Sequence, residues 1–134
     1  MIQWNNMDTL ASFKKLQNAQ KVNVAQVMSG ENSASRVKAY DAPMGAGLHF
    51  NYGARPVDEN ILNLLAEFAQ EQQLVEKYEA LYNGEIINTG EKRRVLHHLC
   101  RGQLGKDVIA DGVNKRDFYL GEQKKIAEFA NKVH

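Results

Sequence analysis

Residues Gly84–Arg101 read Gly-Glu-Ile-Ile-Asn-Thr-Gly-Glu-Lys-Arg-Arg-Val-Leu-His-His-Leu-Cys-Arg, and what they form dictates how the second half of the chain is built. Gly84 can take the left-handed conformation that ends a helix, and Asn88 or Thr89 can cap a new one. Arg93, His97 and Arg101 then recur every four residues. On a helix that spacing stacks two guanidiniums and an imidazole along one face and turns Val95, Leu96 and Leu99 toward the interior. The spacing therefore predicts a helix with a nitrogen-rich polar ridge.

Working back from Gly84, the chain reads as helix. Leu74, Val75, Tyr78, Leu81 and Tyr82 recur at helical spacing. Asp58 is placed to cap a helix whose stripe is Ile61, Leu62, Leu64, Leu65, Phe68 and Ala69. The polar Gln70 to Gln73 stretch between them fits a helical hairpin or one bent helix. Upstream, Pro43, Gly45, Gly47 and Gly53 break the periodicity, and Leu48, Phe50 and Tyr52 alternate with His49 and Asn51 as in a half-buried strand. Nearer the N-terminus, Leu10, Phe13, Leu16 and Ala19 predict a helix that Asp8 or Thr9 would start, and Val22 to Met28 a shorter one. Working forward, Gly102, Gly105 and Gly112 mark a connection with extended chain near Val108 and Ile109. A last helix follows, capped by Asp117 and lined by Ile126, Phe129, Ala130 and Val133. Its pattern reaches His134 without a stop signal, so the expectation is a chain that continues.

The predicted architecture is mainly α, with one short extended segment near 48–52. It falls into a helical arm at 1–40, a loop and strand at 41–57, and a helical core at 58–134. With 134 residues, a hydrophobic fraction of 43% and a charged fraction of 25%, the composition is that of a globular chain. Seventeen basic against 16 acidic residues leave a net charge of +1. That near balance argues against a dedicated nucleic-acid or membrane partner. The lone Cys100 cannot form an internal disulfide, which fits a reducing compartment, and the expected location is cytoplasmic.

Several chemical motifs fail on spacing. His97 and Cys100 are one turn apart, but no second ligand pair accompanies them, so no zinc site is expected and Cys100 reads as a small buried or half-buried side chain. Asp107 and Asp111-Gly112 begin like a calcium loop, yet Ile109 and Phe118 stand where oxygen ligands are needed. Gly45-x-Gly47 lacks the strand and helix of a phosphate loop. Lys92-Arg93-Arg94 with Arg101 reads as a solvated helix face, because Glu85 and Glu91 lie beside it. His98 is expected to face solvent. Arg93 and His97 make the best polar pair, since an Arg can neutralise a phosphate and a His can position a proton.

The stretch also resembles the glucose-6-phosphate isomerases, which carry Asn-x-Thr-Glu-x-Arg-Ala-Val-Leu-His with an Arg one turn later. Asn88, Glu91, Arg93, Val95, Leu96, His97 and Arg101 fall on matching positions, whereas Gly90 replaces the Thr and Arg94 the Ala. Arg36 and Tyr40, Asn51-Tyr52 and the order of helices extend the likeness over roughly residues 31 to 134. The resemblance implies the N-terminal helical portion of an enzyme interconverting glucose 6-phosphate and fructose 6-phosphate without a cofactor. The α/β sugar-isomerase domains are lacking here. The partners it implies are those domains and a second subunit of a homodimer. The family's catalytic groups lie in the lacking domains, so the 134 residues alone are expected to be inactive. Arg93, His97 and Arg101 would then meet the substrate's vicinity or the neighbouring domains. The alternative is a stand-alone, non-catalytic helical interaction module on the same fold.

Overall fold

A computed structural model describes residues 1–102 and 105–133. The chain is mainly helical, with α1 (Ala11–Gln17), α2 (Val24–Val27), α3 (Asn32–Ala39), α4 (Glu59–Glu71), α5 (Leu74–Tyr82) and α6 (Lys115–Val133). The expectation that the last helix includes His134 lies, for that residue, outside the described residues. Among the described residues three antiparallel hairpins punctuate the helices: β1 (Asp41–Pro43) with β2 (His49–Asn51), β3 (Ile86–Asn88) with β4 (Arg93–Arg94), and β5 (Ile109–Ala110) with β6 (Val113–Asn114). The expected strand near 48–52 is β2. The β3–β4 hairpin stands in a stretch read as a helix stop and start, whereas β5 falls where extended chain is expected near Val108 and Ile109. The chain divides into two compact units, residues 5–72 and residues 73–134 with 1–4.

Within residues 5–72, α1 and α4 pack through Phe13 and Phe68, whose ring centroids are 5.7 Å apart. The cap of α1 is not the expected Asp8 or Thr9, because Met7–Thr9 form a separate turn and Leu10 occupies the cap position with no side-chain acceptor. Glu71 supplies the acceptor from the far end of α4. Its carboxylate takes the Ser12 amide at 2.9 Å, the Ala11 amide at 3.3 Å and the Ser12 hydroxyl. These bonds, the Ser12 hydroxyl foremost, hold the Glu71 carboxyl below the usual glutamate range. Asp58 caps α4 as read from the sequence, accepting the Ile61 amide at 2.8 Å.

Arg36 gathers the loop between β2 and α4. Its Nε donates to the Gly53 carbonyl at 2.7 Å, and Nη2 donates to Val57 at 2.7 Å and Arg55 at 3.2 Å. Its guanidinium lies 4.1 Å from the Tyr40 ring centroid. A fixed planar donor fork suits several carbonyls at once, which a lysine could not serve. In the neighbouring hairpin His49 Nδ1 lies 2.6 Å from Asp41, and this bond lowers the Asp41 pKa.

The helices α4 and α5 are two helices rather than one bent helix, since α4 ends at Glu71 with Gln72 as its cap and Gln73 stands at a φ of 53°. Gly84, at a φ of 71°, ends α5 as expected. The helix predicted over Arg93 to Arg101 does not form. The chain turns back as the β3–β4 hairpin, and a single 3-10 turn spans His97–Cys100. Two local features favour the turn. Asn88 accepts the Glu91 amide at 3.1 Å, a side-chain turn that competes with helix, and Ile86 and Ile87 are β-branched. The third cause is non-local: the open carbonyls at the end of α5 draw in the donors of this stretch. Arg94 Nη1 donates to Gly84, and His98 Nε2 donates to Tyr82 at 3.1 Å. Leu99 and Val108 are buried beneath them.

Candidate functional site

The three residues singled out by spacing are exposed, and they do not form one ridge. Arg93 sits on β4, 3.7 Å from Glu91. His97 opens the 3-10 turn and Arg101 caps it. His97 and Arg101 line a depression of about 380 Å3 walled by Tyr78, Tyr82 and Val95. Arg93 lines a separate depression of about 420 Å3 with Lys92, Arg94 and Lys115. A helix would have joined all three at four-residue intervals; the hairpin splits them between two surfaces.

His98, expected in solvent, is instead half-buried against Tyr82, with ring centroids 4.9 Å apart. Because a carbonyl can only accept, the bond to Tyr82 places the proton on Nε2. The Nδ1 atom is buried with no hydrogen-bond partner among the described residues. The Tyr78 and Tyr82 ring centroids are 5.1 Å apart, and the hydrogen bond that the Tyr78 hydroxyl donates to Tyr82 favours its protonated form and raises its pKa. The surface thus offers a guanidinium, an imidazole and two phenols, a set suited to hydrogen bonding and to an anion. Cys100, read as buried or half-buried, is exposed. Its carbonyl accepts from Gln123 at 2.7 Å, which fixes the turn from α6.

Arg116 is the organising residue that spacing does not pick out. It is 4% exposed and reaches the Lys106 carbonyl at 2.6 Å and the Tyr82 carbonyl at 3.4 Å. In the sequence it is one more cation at the start of α6. Only the nearby Gly105, where a Cβ would lie 3.1 Å from its Nη2, hints at a side chain packed close to backbone. Among the described residues no three His, Cys, Asp or Glu side chains are grouped to hold a metal, and no helix is long and apolar enough to cross a membrane.

The described residues make a mainly helical chain, without an α/β sugar-isomerase fold, whose polar residues ride on a hairpin and a turn. The family model for phosphoglucose isomerase matches residues 51–134, and the chain belongs to that family. It is 51% identical to a glucose-6-phosphate isomerase of Treponema denticola over 99% of this chain and 26% of that protein. Likeness to one of Borreliella afzelii is 40% over the whole chain and 25% of the relative. With one of Shewanella woodyi it is 38% over 77% of the chain and 19% of the relative. The chain thus spans about a quarter of the length of the first two relatives.

Proposed function

We propose that this chain is the N-terminal, non-catalytic part of an enzyme that interconverts glucose 6-phosphate and fructose 6-phosphate in glycolysis and gluconeogenesis. The family match over residues 51–134, against relatives about four times as long, is the observation that supports this reading. In it the partners are the α/β domains of the same polypeptide and a second identical subunit, no cofactor is needed, and the setting is the cytoplasm. His97 and Arg101 contact those domains or the sugar phosphate between them, and Arg93 does so from its own surface.

An assay coupling fructose 6-phosphate formation to a reporter tests this. The 134-residue chain should give no turnover above buffer, beside a full-length relative that turns over in parallel. Turnover by the chain alone overturns the reading. A stand-alone interaction module on the same fold is the second reading, and the open apolar face of α6, with Phe129 69% exposed, suits it. Reading the gene beyond the codon for His134 separates the two.

A further inference from the structure

We propose that the basic depression between the β3–β4 and β5–β6 hairpins binds a small soluble polyanion carrying at least two phosphate-type groups. Lys92, Arg93, Arg94 and Lys115 line it against a single carboxylate, Asp111. Among the described residues the ion pairs these cations make are long ones. Lys115 Nζ is 3.8 Å from Asp111 and Arg93 is 3.7 Å from Glu91, well beyond the roughly 2.7–2.9 Å of a charge-assisted bond. Arg94 spends one nitrogen on the Gly84 carbonyl and has others to offer. Lys115 is held with its side chain only 23% exposed, so its charge is less screened than that of a free surface lysine.

The shape selects a small ligand. About 420 Å3 lies within the roughly 300–1,000 Å3 of small-molecule sites, and Ile86, Leu96 and Ala110 give it an apolar floor for a carbon body. A nucleic-acid strand would need a basic track, whereas Glu85 and Glu91 flank this patch. The inference does not rest on the isomerase reading, since it concerns binding by these residues alone.

Inorganic pyrophosphate, titrated into the isotope-labelled 134-residue chain at constant ionic strength and followed by amide chemical shifts, provides the test. Saturable shifts are expected in residues 86–96 and 109–116. Affinity should drop by about tenfold in Arg93→Gln and in Lys115→Gln. Asp111→Asn should tighten binding by about threefold, through loss of the carboxylate in the lining. Asp111 stands at a φ of 54°, a conformation that Asn accepts, so this variant keeps the turn and its gain cannot come from unfolding. Absence of saturation, variants that bind like the parent, or weaker binding by Asp111→Asn overturns the proposal. So does a short oligonucleotide that binds more tightly than pyrophosphate through the same residues.

Discussion

Glu71 and Gly84 show how single residues carry distant structure. The Glu71 pKa is depressed by the bonds it accepts from Ser12, so its charged form is favoured in the folded state. Its contribution is complete above the unfolded value of about 4.3 and is lost as pH falls through the lower folded value. Acid should therefore release α1 before α4. In an NMR titration the Ser12 amide should shift with the Glu71 carboxyl, and Glu71→Gln should speed hydrogen exchange in α1 at neutral pH. Unchanged exchange would mean that the cap is dispensable. At Gly84 two costs coincide, a φ of 71° and a Cβ that would lie 2.4 Å from a Val108 methyl. Gly84→Ala should lose about 2–4 kcal/mol in urea unfolding. Combined with Val108→Ala, the loss should be smaller than the sum of the two single losses, because the clash is then gone.

At the scale of elements, the hairpin at 86–94 is held to α5 by Arg94. Arg94→Ala leaves the Gly84 carbonyl without its donor and should cost about 1–3 kcal/mol, read from the urea midpoint. Close cross-strand proton contacts between Ile86 and Arg94 should be seen in the parent and weaken in the variant; contacts of helical type from Arg93 to Leu96 would instead restore the helix reading. This stretch also marks the limit of what the sequence makes legible. Asp58 and the stripe behind it signal α4 because cap and period are both local. Asn23, which accepts the Gln26 amide at 3.2 Å, caps α2 by an equally local bond that the apolar spacing of Val22 to Met28 does not single out. Residues 93–101 carry a helical period too, yet their partners are carbonyls at the end of another helix, and no local pattern encodes those. The same holds for Glu71 over α1. For the candidate site, spacing picked out Arg93, His97 and Arg101, but their division between two surfaces depends on the hairpin, and Arg116 has no signal in spacing.

For the molecule as a whole, the measure is how little apolar surface is covered. Among the described residues Leu10, Ala80, Leu99 and Val108 are the buried apolar ones, whereas Val75, Ile126, Phe129 and Val133 are each 67–69% exposed. Apolar faces of this kind adsorb dyes and one another. The chain should enhance anilinonaphthalene fluorescence and elute from a sizing column as concentration-dependent oligomers; a monodisperse monomer with no dye response would show that these faces are closed in solution. The Glu71 cap adds a matter of timing. The carboxylate that completes α1 stands 59 residues after the Ser12 amide it receives. At roughly 5–20 residues per second, the ribosome makes Ser12 some 3–12 seconds before Glu71 exists. Through that interval the nascent α1 has no acceptor for its first amides, and it can settle only after α4 has emerged.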